Sequence, residues 1–331
     1  MQKRPFGSNK LNVTPIGIGL AALGRPGYIN LGHAADLESN YAVATMEAHA
    51  HSVLDAAWAA GIRYFDAARS YGRAEQFLAS WLNARAIDPT EITVGSKWGY
   101  TYTADWQVNT AIHEVKDHSI TVLNRQIAES REQLSAYLDL YQIHSATLDS
   151  GVLENTAVLR KLADLRNSGL CIGLSLSGPQ QADTLYKALE INYDERPLFG
   201  AVQATWNVLA QEAGTALNAA HQQGLGVIVK EAVANGRLTS RNSNPEFQSK
   251  RAVLGAFATT KDTTIDAIAI AYVLAQPWAS VVLSGAANVA HLQSNITALN
   301  VNLDSEMLEQ LARLSETPSV YWSTRSQLTW N

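Results

Sequence analysis

PIGIGLAALGRPGYINLGH, residues 15–33, is where two architectures part. An apolar strand, PIGIGL at 15–20, leads into a glycine-containing turn, which is how a doubly wound dinucleotide-binding domain opens. That fold requires G-x-G-x-x-G here, the third glycine letting the helix pack closely on the strand. The turn reads Gly17-Ile18-Gly19-Leu20-Ala21-Ala22, without the last glycine, and continues as turn-rich GRPGYINLGH where a helix is needed. A strand followed by a long irregular loop fits the closed parallel barrel, whose loops at the C-terminal strand ends carry the chemistry.

The rest of the chain repeats the alternation. Further apolar runs lie at 63–67 (RYFDA), 92–97 (ITVGSK), 138–144 (LDLYQIH), 171–177 (CIGLSLS), 200–206 (GAVQATW), 226–231 (GVIVKE) and 280–285 (SVVLSG). Between them stand segments with apolar spacing near 3.6, such as SVLDAAWAAGI and VLRKLADLRNSGL. Gly61, Gly169 and Gly224 fall where helices should stop before the next strand. The expected fold is α/β, a single-domain (β/α)8 TIM barrel over residues 1–331. Its surplus over a bare barrel of roughly 250 residues falls in loops 24–45 and 98–120 and in the tail 316–331, a candidate lid.

Composition narrows the function. The 331 residues carry 25 Lys+Arg against 30 Asp+Glu, a net charge of −5, without basic blocks, which argues against nucleic acid as a partner. One cysteine, Cys171, permits neither a disulfide framework nor a thiolate zinc cluster, and its neighbours offer no thiolate activation. MQKRPFGSNK has no apolar stretch of signal-peptide type, and no run approaches the roughly 18 apolar residues that span a bilayer. The expectation is a cytoplasmic protein acting on a small molecule, with no membrane partner.

In such a barrel a polar side chain ending a strand is a candidate for chemistry. The second strand ends at Asp66, with Tyr71 in the following loop; the third ends at Lys97 and the fourth at His144. Side chains alternate along a strand, so Tyr64 pairs with Asp66, Gly95 with Lys97 and Gln142 with His144 on faces that can point into the mouth. Singly, a strand-end Asp is a cap or ion-pair partner, a Lys a surface charge and a His a core residue. Jointly, an apolar barrel has little reason to collect them on neighbouring strand ends.

These residues bring the chain close to a known family. F-D-A-A-R-S-Y-G at 65–72, G-S-K at 95–97 and D-L-Y-Q-I-H at 139–144 resemble the aldo-keto reductases, in order and spacing, from about residue 5 to 300. The resemblance implies a nicotinamide-dependent carbonyl reductase with the tetrad Asp66, Tyr71, Lys97 and His144 and no metal. The chemistry is sound on its own terms. Hydride reaching a carbonyl carbon leaves charge on oxygen, which a proton donor must meet. A phenol has a reference pKa near 10, and an adjacent ammonium is expected to lower it. His113, Glu114 and His118 imitate a zinc motif, but the histidines are five apart, where a shared helix face needs four.

The resemblance also implies a cofactor site for NADP or NAD. It places Gly19 beside the cofactor, Ser175 and Gln203 on the nicotinamide carboxamide, and Trp206 stacked on the ring. In the family's G-x-S-N element, Leu176 replaces the Asn. Lys230, Gly236 and Leu238 fill the pyrophosphate loop, with Glu231 an unfavourable neighbour for phosphate. Gly285, Ala286 and His291 stand at the adenosine end, where NADPH-selective members carry Lys, Ser and Arg, while Asn295 keeps its match to the family. A dianionic phosphate wants fixed cations, so a reduced NADPH preference is expected. Tyr28, Trp98 and Trp106 are expected pocket walls, suiting a neutral aldehyde, ketone or sugar. Two rival functions fit parts of this pattern: a Schiff-base aldolase using Lys97 or Lys230, and a nicotinamide-binding regulatory protein with slow turnover.

Overall fold

The computed structural model describes residues 1–331. Eight parallel strands form a closed barrel in sequence order: β1 (Ile16–Gly19), β2 (Tyr64–Asp66), β3 (Thr93–Trp98), β4 (Leu138–Ala146), β5 (Cys171–Leu176), β6 (Ala201–Thr205), β7 (Gly226–Lys230) and β8 (Val281–Ser284). Every expected strand is present. Most of their residues are buried, because one face fills the barrel and the other meets a helix.

The outer helices are α1 (Val43–Ala59), α2 (Ala74–Ala84), α3 (Ile120–Leu134), α4 (Thr156–Asn167), α5 (Gln181–Leu189), α6 (Gly214–Gln222), α7 (Gln248–Thr260), α8 (Ile265–Leu274) and α9 (Val289–Thr297). Side-chain caps start several of them: Ser119 accepts from the Val122 amide, Asn155 from Val158, Thr264 from Ala267 and Asn288 from His291. After α1 and α4 the chain turns through Gly61 and Gly169, at φ +86° and +107°, a region where a side chain is strained. The stop signals legible in the sequence are therefore backbone requirements.

An N-terminal hairpin, Arg4–Pro5 against Asn12–Val13, places Phe6 and Val13 in a buried cluster with Tyr64, Leu140, Ala201, Ile228 and Val281. That cluster fills one end of the barrel interior. Nearer the C-terminal strand ends the filling turns polar, with Asp66, Lys97, Gln142 and Gln203 all buried. The three surplus segments gather around that end. The 24–45 loop carries one helical turn, His33–Asp36; the 98–120 loop folds as a hairpin, Tyr100–Tyr102 on Glu114–Lys116; and the tail follows α10 (Ser305–Ala312) with α11 (Pro318–Ser326). No helix is long and apolar enough to cross a membrane.

Candidate active site

The four strand-end groups converge. Lys97 is fully buried; its ammonium is ion-paired with Asp66 Oδ2 and donates to the Ala67 carbonyl at 2.9 Å. The other carboxylate oxygen of Asp66 accepts from Tyr64 Oη at 3.3 Å, Gln142 Nε2 at 3.3 Å and Gln203 Nε2 at 3.1 Å. A buried ion pair is tolerable only with its remaining valences satisfied in this way. Tyr71 lies over the pair, its ring centroid 4.9 Å from Lys97 Nζ. Its hydroxyl stands 3.5 Å from His144 Nε2, with the two rings edge to face, and His144 Nδ1 is 3.4 Å from Ser70 Oγ.

A local irregularity aims the histidine. Beyond Ile143 the register of β4 against β5 shifts, and Ser145 takes φ 52°. Bulges of this kind re-aim a side chain at a site. The Ser145 amide donates to Ser175 Oγ at 2.8 Å, and His118 Nε2 lies 2.9 Å from the His144 carbonyl, so both sides of the bulge are held.

The electrostatics correct one expectation. Tyr71's phenol is pushed up, not down: burial is the largest cause, and the charge on Asp66 adds to it while Arg25 opposes. Lys97 lies under the ring and is engaged with Asp66. The phenol therefore stays protonated at neutral pH. His144 is held well below the usual histidine range, by burial first and then by Lys97, Arg25 and Lys230, so its imidazole is neutral.

Tyr71 and His144 open into a cavity of about 270 Å³ walled by Arg25, Tyr28, Glu114, Leu328 and Trp330. Arg25 pairs with Glu114 at 2.9 Å and lies within about 5 Å of the Tyr28, Tyr71 and Trp330 rings. Trp330 stacks face to face on His113 at 3.9 Å. Asn331 exchanges backbone bonds with Tyr28, so the tail closes one side of the cavity. Of the expected walls only Tyr28 lines it. Trp98 is fully buried, edge-on to His118, because strand alternation turns it away from the mouth. Trp106 packs on Phe77 and donates to the Tyr41 carbonyl at 2.6 Å, an anchor for its loop. The zinc-like trio is dispersed: His113 stacks on Trp330, Glu114 pairs with Arg25, and His118 backs the His144 bulge. Burial pushes the Cys171 thiol up to about 12.

A second cavity of about 460 Å³ adjoins the first, and both are bordered by Asn30, Val233 and Gly285. Together they make a groove from Tyr71 to Asn295. Its chemistry suits an extended dinucleotide. Asn235 Oδ1 and Asn295 Oδ1 are buried acceptors without protein partners, and a Cβ at Gly285 would meet only open space. Gly19, Gln203, Lys230 and Gly285 border the first cavity; Gly236, Gly285, His291 and Asn295 border the second.

Three expected cofactor residues lie elsewhere. Trp206 is stacked on Tyr272 at 5.3 Å, edge-on to Trp278, with Nε1 donating to the Gln211 carbonyl, so its indole faces α8 and not the mouth. Ser175 sits behind the His144 bulge, while Ser177 borders the cavity. Leu238 is fully buried in the hydrophobic core.

Glu231, unfavourable near phosphate, is neutralised from the tail. Arg325 grips both of its oxygens, at 2.6 to 3.0 Å, and Lys230 Nζ lies 3.8 Å away. Burial raises the carboxyl, but Arg325 and Lys230 outweigh it and hold it at about 2. Reading strand ends alone missed Arg325, Asp36 and Arg241; each comes from a loop or the tail and has no strand-end signal.

A barrel with a Tyr–His–Lys–Asp cluster at its mouth and a groove leading away defines a class of oxidoreductase. The Aldo/keto reductase family model matches residues 15–316, and the chain belongs to that family. The uncharacterized oxidoreductase YqkF of Bacillus subtilis is 25% identical over 91% of this chain and 92% of that protein. The D-threo-aldose 1-dehydrogenase of a Pseudomonas species is 25% identical over 87% of this chain and 95% of its own length. Among solved structures, the holo form of aldo-keto reductase AKR11C1 from Bacillus halodurans superposes with a TM-score of 0.72 at 21% identity, covering 96% of this chain and 97% of that one. The protein is an oxidoreductase of the aldo-keto reductase family.

Proposed function

We propose that the chain moves hydride between a nicotinamide dinucleotide and the carbonyl or alcohol carbon of a neutral aldehyde, ketone or sugar, with Tyr71 as the general acid–base. The observation that carries this is the convergence of Tyr71 Oη and His144 Nε2, 3.5 Å apart, at the head of a dinucleotide-sized groove. A nicotinamide bound there supplies or accepts the hydride. The chain does the rest. Tyr71 delivers its proton to the oxygen on which charge develops, and the neutral His144 fixes that oxygen's direction. Lys97 and Asp66 hold the floor under Tyr71, and Trp330, Tyr28 and the loops of Arg25 and Glu114 exclude water.

The walls favour a polyhydroxylated neutral substrate. Leu328 and Trp330 offer apolar surface, and the Arg25–Glu114 pair offers a donor and an acceptor with no net charge. The sugar dehydrogenase among the relatives agrees with this reading. Family membership and the engagement of Lys97 with Asp66 weigh against Schiff-base chemistry at that lysine.

The test is turnover followed at 340 nm, with aldehydes and ketones against reduced cofactor and aldoses against oxidised cofactor. Activity on neutral compounds, with matched carboxylates at least tenfold poorer, is the expected result; activity confined to charged substrates contradicts it.

Lys230 supplies a second expectation. Its amine borders the groove and donates to Thr205 Oγ1 at 2.6 Å. Burial, partly offset by Glu231, brings it down to about 8. With a pyrophosphate beside it, the lysine helps only while charged, so dinucleotide affinity should weaken as pH rises through about 8. The fall should approach roughly tenfold per pH unit above that point. Calorimetric titrations between pH 7 and 9.5 check this, and Lys230→Met should flatten the profile.

A further inference from the structure

The adenosine end of the groove holds an arrangement that strand-end reasoning did not anticipate. Asp36, on the helical turn after β1, reaches across to the loop after β7 and to the start of α9. Its side chain is only 5% exposed. Arg241 grips it two-handed, Nη1 to Oδ2 at 2.8 Å and Nη2 to Oδ1 at 2.5 Å. Asn288 Nδ2 donates to Oδ1 at 3.2 Å, and His291 Nε2 lies 3.6 Å from the same oxygen. A forked guanidinium, an amide donor, an imidazole and the start of a helix are what a protein assembles around a phosphate. Here they surround the chain's own carboxylate.

We infer that Asp36 is a built-in occupant of the 2′-phosphate position, which makes the protein selective for a dinucleotide lacking that phosphate. This rests on the proposed nicotinamide-dependent function and specifies its cofactor. The cavity is bordered by Asp36 and Asp266 against a single permanent cation, Arg241, which is neutralised by Asp36. Burial, the largest cause, keeps His291 below its usual range, so it adds no charge at neutral pH. A 2′-phosphate entering would meet a carboxylate at its own binding position and a guanidinium already engaged. An unphosphorylated ribose brings hydroxyls, which donate to a carboxylate. The buried, unpartnered Oδ1 of Asn295 in the same cavity is a further acceptor for a neutral, donor-bearing ligand.

The test compares ligands that differ only in that phosphate, NAD+ against NADP+ and adenosine 5′-monophosphate against adenosine 2′,5′-bisphosphate, by calorimetry, without turnover. Wild type should bind the unphosphorylated member of each pair at least tenfold tighter. Asp36→Ala releases the Arg241 fork and Asn288 Nδ2 from the carboxylate, while the 3.0 Å contact of Arg241 with His291 and its bonds to the Leu31 and Gly32 carbonyls hold the guanidinium in place. This should raise affinity for the 2′-phosphorylated ligands by about 10- to 100-fold, the range for bonds to charged groups. Asp36→Asn, closer in shape, should shift the ratio the same way if Asp36→Ala unfolds. Adding Arg241→Ala to either variant should cancel the gain. Tighter NADP+ binding by wild type, or a ratio unmoved in both Asp36 variants, overturns this inference and leaves the proposed function intact. If wild type and variants bind no nucleotide, both fall together.

Discussion

Tyr71→Phe should lower turnover by about 10²- to 10⁴-fold, the usual contribution of a positioned proton donor. Dinucleotide affinity should change little. The substitution removes one oxygen, 3.5 Å from His144 Nε2, and keeps the ring that covers the Lys97–Asp66 pair. Burial holds the phenol above its ordinary range, so the residue starts as a donor. The pH profile therefore distinguishes the two directions: carbonyl reduction should stay flat through neutrality, while alcohol oxidation should climb toward alkaline pH. Steady-state kinetics in both directions, with calorimetry on the variant, would measure all of this. Retention of more than a tenth of wild-type turnover would remove Tyr71 from the role of proton donor.

The second large effect is on stability. Asp66→Ala leaves the fully buried Lys97 ammonium without its counter-ion, and Tyr64, Gln142 and Gln203 without their shared acceptor. Removing one partner of a buried pair costs about 3–5 kcal/mol. Removing both charges, in Asp66→Ala with Lys97→Met, should recover part of that loss, because no unpaired charge remains. Turnover should not return. Chemical denaturation of the three proteins measures this, and equal stability of the single and double variants would show that the pair is not the source of the cost.

The barrel was legible because its signals are local and repeated. Strands buried on both faces read as short apolar runs, and the stops at Gly61 and Gly169 are imposed by backbone geometry. The convergence of Asp66, Tyr71, Lys97 and His144 was legible because Asp66, Lys97 and His144 end consecutive strands, where alternation alone decides which way each side chain points. Trp206 and Ser175 misled for the same reason in reverse. Each is at a strand end, but Trp206 packs between Tyr272 and Trp278, and Ser175 is held by the Ser145 bulge. Neither the packing partner nor the bulge is marked in the sequence nearby. Arg325 with Glu231, and Asp36 with Arg241, are bridges across 94 and 205 positions of chain, and no periodicity announces such pairs. The tail was expected as a candidate lid; that it also carries the counter-charge for Glu231 is visible only in the folded chain.

If the groove from Tyr71 past Gly285 to Asn295 holds a nicotinamide dinucleotide, as proposed, a side chain at Gly285 should block it. A Cβ at this residue meets nothing within 4 Å, so Gly285→Phe should fold with an unchanged melting temperature while filling the groove. Calorimetric titration with NADH and NADPH should show one equivalent of dinucleotide bound to wild type and at least a tenfold loss in the variant. Binding of equal strength to both proteins, or no binding to wild type, would contradict the account.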